Sequence, residues 1–444
     1  MTVSPLDSAL YGALLSDAET AVLFDARAEI RAMLAVEAAL ARAEAKLGVI
    51  PAEAGERIAR TAERLEIEPA TLAAGTASAG VPVPALVEAL RRAVGGEAAA
   101  YLHWGATSQD IVDSALLLRL RSAMEIYERR LAALIEQLAA LAEAHRATVM
   151  AGRTRLQQAT PITFGLKVAG WLAPLLRHRQ RLRELRPRLL LVSFGGAAGT
   201  LAALGDRGLA VAEALAGELA LEAPAGPWHT QRDGLAELAG WLALTTGSLG
   251  KIGQDVLLLA QSEIGELHEG VGGGSSTMPQ KANPVVSETL VAVARMNAGL
   301  LATLQQAMLP DHERGGSAWQ LEWLTLPQMV VLTGAALRHA VALIGGLRVD
   351  VRRMRANVDA SNGLILAEAA SFALARDMPR PEAQALVKAA CRDALAQDRH
   401  LIDLLAERVD APLDWQALRD PSNYLGAADE IVERIIREAR SEKG

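Results

Sequence analysis

Apolar residues along this chain recur at intervals of three and four, not two. Between Asp113 and His145 there is no glycine or proline, and Leu117, Leu120, Met124, Tyr127, Leu131, Leu134, Leu138 and Leu141 follow one another at alternating spacings of 3 and 4. Such a seam keeps one face apolar through more than three heptads, the pattern of a long bundle helix. Leu235, Leu238, Leu242, Thr245, Leu249, Ile252, Val256, Leu259 and Glu263 repeat it. Gly240, Gly247, Gly250 and Gly253 lie inside this second seam, weakening the helix locally while letting neighbouring backbones come close. A third seam runs from Val286 to Met308 through Leu290, Val293, Asn297, Leu301 and Leu304. Two shorter segments, Thr163 to Arg186 with a bend expected at Pro174, and Leu324 to Ile344, complete a set of five bundle helices.

The flanks are helical too. Ile30, Met33, Leu34, Glu37, Ala38 and Ala41 share one face of a helix predicted over Asp25 to Leu47, after which Pro51, Pro69, Pro82 and Pro84 punctuate shorter pieces without strand alternation. Beyond Gly345-Gly346 come a start at Gly363, an Ala-rich helix to Ala375 and a break at Pro379-Arg380-Pro381. The expected fold class is all-α, in three helical domains: residues 1–104, the long-helix bundle 105–345, and 346–444.

Composition agrees and narrows the function classes. Apolar residues make up 51% of the chain and aromatics only 3%, so alanine and leucine, both strong helix formers, carry the hydrophobicity. A net charge of −7 argues against a nucleic-acid or anionic-membrane partner, which needs a basic face. The single cysteine, Cys391, excludes an internal disulfide framework and a cysteine-based metal site, and suits a reducing cytoplasm. Met1 to Leu10 lacks the basic and apolar segments of a signal peptide. Met329 to Leu347, the most membrane-like stretch, carries Arg338 and His339 at mid-span and reads better as a buried core helix.

Candidate chemistry sits at the ends of the long helices. Gly105-Ala106-Thr107-Ser108-Gln109-Asp110 opens the first of them. Thr107 with Asp110 three residues later fits a capping box; equally, Thr107, Ser108 and the free N–H groups of a helix start can bind a carboxylate. Gly152-Arg153-Thr154-Arg155-Leu156-Gln157-Gln158 gathers hydrogen-bond donors ahead of the next helix, which a surface loop explains as well. The stretch from Gly270 to Pro284 follows a helix instead of a strand and has no P-loop spacing, which speaks against a dinucleotide loop. A glycine hinge ahead of Ser275, Lys281 and Asn283 suits a mobile loop that closes over substrate, better than a plain linker.

Gly274-Ser-Ser-Thr-Met-Pro-Gln-Lys-Ala-Asn-Pro284 closely resembles the signature loop of the fumarase/aspartase superfamily, and the Thr107-Ser-Gln-Asp and Gly152-Arg-Thr stretches stand in the order and spacing of its other two blocks. Within that superfamily three stretches are similar to the carboxymuconate cycloisomerases: Trp104 through Asp110; His312-Glu313-Arg314 followed by Trp319, Glu322 and Trp323; and Asp420-Pro-Ser-Asn-Tyr-Leu-Gly426. The resemblance covers almost the whole chain. It implies a homotetramer, no metal, no organic cofactor, and lactonisation of a small tricarboxylate in the β-ketoadipate pathway. Ser275 then handles the proton, while Lys281 and Asn283 hold the enediolate oxygens. Thr107, Ser108, Arg153, Thr154 and Gln157 are implied substrate contacts, together with His229, Gln231 and Arg232. Ser276 and Met278 on the loop, and His312 and Arg314, complete the implied set. Gln280 departs from the histidine often found at its place, and His103 is either a site residue or a helix-end histidine bonded to backbone.

Position 155 discriminates. Amine-eliminating members of the superfamily commonly carry a histidine there as the acid for the leaving nitrogen, whereas Arg155 stays protonated and cannot donate near neutral pH. A carboxylate that adds or leaves, with a pKa of about 4, needs no such proton and is better served by a fixed cation. This favours cycloisomerase over adenylosuccinate lyase, while intact Ser275, Lys281 and Asn283 speak against a non-catalytic helical scaffold. Arg153, Arg155, Arg232, Arg314 and Lys281 offer cations for a tricarboxylate. A helix of roughly 38 residues between the first two motifs spans about 57 Å, so shared sites between antiparallel neighbouring subunits are expected.

Overall fold

The seams fold as helices in the computed structural model, which describes residues 4–270, 273–274, 278 and 281–441. The principal helices are α1 (Ala26–Lys46), α2 (Ser108–Ala144), α3 (Phe164–Leu189), α4 (Asp233–Leu259), α5 (Val285–Gln305) and α6 (Gly316–Gly346). Asp25 caps α1, its Oδ1 accepting from the Ala28 N–H at 2.7 Å. Helix α2 begins five residues ahead of the glycine-free seam. Helix α6 begins eight residues before Leu324 and carries Pro327 inside it. Helix α3 runs unbroken past Pro174, whose missing N–H removes one bond from the ladder without ending the helix.

The fold class is all-α, with three two-stranded ribbons among the described residues that the apolar pattern did not announce. β1 (Val149–Thr154) pairs antiparallel with β2 (Gln157–Thr163); β3 (Leu267–His268) pairs with β6 (Arg348–Val349), and β4 (Gly273–Gly274) with β5 (Ala282–Asn283). The donor-rich Gly152–Gln158 stretch, expected as a loop, is therefore a hairpin. A Cβ at Gly152 would lie 2.7 Å from the Thr160 carbonyl oxygen, so the partner strand passes where a side chain would stand.

Packing groups the residues into two compact units: Met1–Arg130 with His178–Gly247 and Ala292–Arg338, and Leu131–Arg177 with Ser248–Val291 and His339–Gly444. Each of α2 to α6 contributes a segment to both. In the first unit Leu117, Leu120, Met124 and Tyr127 are buried with Leu238, Leu242, Met329 and Val330. Tyr127 stacks on Trp241 at 5.6 Å and donates its hydroxyl to the Val330 carbonyl at 2.7 Å, so the ring's polar end is satisfied in the core. Asn297, the polar member of its seam, is buried and donates to Thr333 Oγ1 at 3.0 Å. In the second unit Phe164 packs edge-on against His145 and Trp171, and Ala151 of β1 joins a core of Leu374, Val387, Leu401 and Leu405. Among the described residues two helical spans are apolar and long enough to cross a membrane: in the most apolar 18-residue stretch of each, 72% is buried for Gly316–Gly346 and only 28% for Val285–Met308.

Candidate active site

The predicted site residues divide between the two units. In the first, Thr107 stands at the head of α2 and donates its N–H to Asp110 Oδ2 at 2.9 Å, the reciprocal arm of a capping box. The same fully buried carboxylate also accepts from the Gly195 and Gly196 N–H groups at 2.8 and 3.0 Å and meets His229 Nε2 at 2.6 Å. Asp110 thus pins the 195–196 turn and His229 against the start of α2. Thr107 and Ser108 are half-buried, and no described side chain bonds to either hydroxyl. They remain available to an anion at the helix start.

Beside Asp110, Gln109 donates to Asp113 Oδ2 at 3.1 Å and to the His229 carbonyl at 2.9 Å, and accepts from Arg314 Nε at 3.0 Å. Asp113 receives Trp319 Nε1 at 3.1 Å and two bonds from Arg232, at 2.7 and 3.2 Å. Arg232 makes two more with Glu322, at 2.7 and 2.5 Å, while its guanidinium lies over the Trp228 ring. Four of its five N–H donors are engaged. Burial acts against the Arg232 cation, but Asp113 and Glu322 outweigh it and raise its pKa. Glu322 is held above the ordinary carboxylate range by burial, against the pull of Arg232. Gln231 is exposed and donates to the Pro227 carbonyl at 3.3 Å. His312 is exposed at a φ of 47°.

In the second unit the β1–β2 turn places Arg155 and Leu156 at φ values of 50° and 65°. A two-residue hairpin loop with both central residues left-handed normally takes Asn-Gly; two bulky residues there are strained. Arg155, Leu156 and the flanking pair Thr154 and Gln157 are exposed, so the turn presents Arg155 at its tip. Arg153 points the other way. It grips the fully buried Glu266 with two bonds, at 3.0 and 2.7 Å, and Asn357 Nδ2 adds a third to that carboxylate at 2.8 Å. On the signature loop Gly273 faces Asn283 and Gly274 faces Ala282 across the ribbon. Ser275 and Ser276 lie outside the described residues, as does Gln280. Met278 and Lys281 are exposed, the Lys281 N–H donating to the Met278 carbonyl at 3.0 Å, and Asn283 is half-buried.

Two of the five cations expected to meet substrate are therefore held by protein carboxylates, Arg153 by Glu266 and Arg232 by Asp113 and Glu322. The reason is electrostatic: a guanidinium at such depth without a carboxylate partner is too costly to keep. Sequence reading left Glu266 unmarked, since nothing in its local pattern distinguishes a buried carboxylate from a solvated one. Trp319 and Trp323 pack against each other along α6, their centroids 4.8 Å apart and their rings tilted by 55°, as their four-residue spacing implied. Among the described residues no three His, Cys, Asp or Glu side chains converge to hold a metal ion.

A family model described as lyase matches residues 15–299, and one described as adenylosuccinate lyase C-terminus matches residues 363–435. The 3-carboxy-cis,cis-muconate cycloisomerase of Pseudomonas aeruginosa is 50% identical over 440 residues, which cover 97% of this chain and 96% of that one. The crystal structure of 3-carboxy-cis,cis-muconate lactonizing enzyme from Pseudomonas putida matches with a TM-score of 0.92 and 44% identity, over 98% of this chain and 99% of the other. Trans-aconitate decarboxylase 1 of Mycosarcoma maydis is 41% identical over 411 residues, 91% of this chain and 83% of its own. On these matches the chain belongs to the lyase family, the one that contains the 3-carboxy-cis,cis-muconate cycloisomerases.

Proposed function

We propose that the chain lactonises 3-carboxy-cis,cis-muconate to 4-carboxymuconolactone. The observation that carries this reading is the near full-length likeness to cycloisomerases, in a chain that keeps Ser275, Lys281 and Asn283 and has an arginine at position 155. In the reaction one substrate carboxylate oxygen bonds to the carbon β to a second carboxylate. The alkene electron pair moves into that second carboxylate as an enediolate, and a proton then arrives at the α-carbon. Nothing leaves, so no acid is needed for a departing group. Transition-state charge gathers on two adjacent oxygens, where fixed donors act most strongly.

Roles follow from chemistry and resemblance together. Lys281 and Asn283 stabilise the enediolate, Ser275 delivers the proton, and Arg155 orients the attacking carboxylate. Thr107 and Ser108 at the start of α2 receive a further carboxylate, with His229 held beside them by Asp110. Arg155 at the exposed tip of its turn and Lys281 on an exposed loop both face outward in one chain. A homotetramer with shared sites gives them partners, and supplies a cover for α5, an apolar helix with Met296 48% exposed. We also retain the division at residues 104/105 and 345/346 as three helical domains, and a cytoplasmic setting for an enzyme with one cysteine.

The test is an ultraviolet assay on the purified protein. Loss of the conjugated diene of 3-carboxymuconate, with the lactone as product, supports the reading. No loss of diene together with carbon dioxide release from trans-aconitate, or turnover of adenylosuccinate, overturns it in favour of another family chemistry. No turnover of any of the three favours a scaffold.

A further inference from the structure

Two carboxylates occupy the buried face of α1, where the apolar stripe calls for hydrocarbon. Glu37 and Glu44, two turns apart, are each 1% exposed. Glu37 Oε2 and Glu44 Oε1 have no hydrogen-bond partner. A carboxylate so placed is destabilising unless something compensates it. For Glu37 the compensation is His103, whose Nδ1 lies 2.6 Å from Glu37 Oε1. The histidine stands in the left-handed region at a φ of 61°, four residues ahead of Thr107. Strain of that kind at a non-glycine residue persists only where its surroundings impose it.

The pair is asymmetric. The Glu37 side chain is fully buried, whereas that of His103 is 19% exposed. With Nδ1 engaged by Glu37, no described residue bonds to Nε2, which is left for a partner from outside the described residues. In the neutral ring Nδ1 donates to Glu37 and Nε2 is an acceptor. In the charged ring both nitrogens donate, and Nε2–H becomes a cationic donor. Three charged groups act on the ring: Glu37 on α1, Asp110 on α2, and Arg91 on the helix Val83–Val94. Burial works against the charged form and so does Arg91, but the carboxylates outweigh them and hold the imidazole above its ordinary pKa.

We propose that Glu37 is a positioning residue that presents His103 Nε2–H to a carboxylate of the substrate, just ahead of the Thr107–Ser108 helix start. Naming that carboxylate as the muconate's rests on the lactonisation reading; the Glu37–His103 pairing does not. The device also accounts for a fully buried glutamate on a face where packing alone would favour leucine or alanine.

The experiment uses the intact protein and diethyl pyrocarbonate, which acylates only unprotonated imidazole. The rate at His103 is followed by peptide mass spectrometry from about pH 5.5 to about pH 8.5. In the unaltered protein the midpoint should lie above the ordinary histidine value, and Glu37→Gln should lower it by about one unit or more. In the lactonisation assay Glu37→Gln should raise KM about tenfold with a much smaller change in kcat, the mark of lost uniform binding. The rise of KM with pH should move to lower pH in step with the acylation midpoint, and Glu37→Asp, which restores the charge, should recover part of both. An unchanged midpoint in Glu37→Gln overturns the pairing, and a shifted midpoint with unchanged KM overturns the binding role. If Glu37→Gln does not fold, His103→Gln carries the KM measurement, and protection of His103 from acylation by substrate in the unaltered protein carries the contact. A protein that is inactive on carboxymuconate defeats the functional reading alone. The acylation midpoints still decide the pairing, and protection of His103 by trans-aconitate or its absence decides the carboxylate contact.

Discussion

Glu44 makes a prediction whose sign is fixed by its surroundings. Burial first, and then the charge of Glu37, push its carboxyl up to about 9 from an ordinary value of 4.5. The folded chain therefore keeps Glu44 protonated near neutral pH, whereas the unfolded chain ionises it. Unfolding releases a proton at every pH between the two values, so this group's contribution is complete below 4.5 and is lost as pH rises towards about 9. Each pH unit in that window removes about 1.4 kcal/mol, or on the order of 4 kcal/mol between about pH 5 and about pH 8. Glu44→Gln removes the ionisation and keeps the shape. Its amide meets the same unpartnered surroundings as Oε1, at a pH-independent cost of about 1–3 kcal/mol. The variant should thus be the less stable protein near pH 5 and overtake the unaltered protein by pH 8. Denaturant midpoints for both proteins across that range, at one ionic strength and one protein concentration, make the measurement. A stability difference that stays constant with pH would refute the reasoning, because it would mean that Glu44 titrates alike folded and unfolded.

Ser275→Ala should fold and assemble normally while kcat falls by about 10²–10⁴-fold, the usual contribution of a positioned proton-transfer group; near-normal turnover would remove Ser275 from the chemistry. Arg232→Met strands Asp113 and Glu322 in the core without their cation and should cost about 3–5 kcal/mol of stability, seen as a lower denaturant midpoint, with activity falling only in step with the folded fraction. A folded Arg232→Met protein with a raised KM would instead place the guanidinium at the substrate. Mixing inactive Ser275→Ala and Arg155→Leu under conditions that exchange subunits should restore a fraction of normal activity, since shared sites then exist with both native residues. No recovery after verified exchange would place both residues of a site in one chain.

The five long helices were legible because an apolar seam with a period of about 3.5 is a property of sequence alone, and burial of Leu117, Leu120, Met124 and Tyr127 follows from it directly. The β1–β2 hairpin was not. Its strands lack a regular apolar/polar alternation, its turn is Arg155-Leu156 instead of the Asn-Gly that signals such a loop, and the donors that drew notice say nothing about backbone. The motifs located the candidate site, but charge alone could not say which arginines were free. Arg153 and Arg155 stand two apart on one strand and turn, and the local sequence treats them alike, yet one faces Glu266 from 113 residues away and the other faces outward. That choice belongs to long-range pairing, which no local pattern encodes. Glu37 shows the complementary case. Its position in the stripe of Ile30, Met33, Leu34 and Ala38 was visible from the start, and a carboxylate there violates the helix's own pattern. Such a local violation in a consistent fold is a pointer to function, because packing would select hydrocarbon and the exception needs a reason. The reason on view is an imidazole 2.6 Å away, five residues ahead of the helix that opens the candidate site.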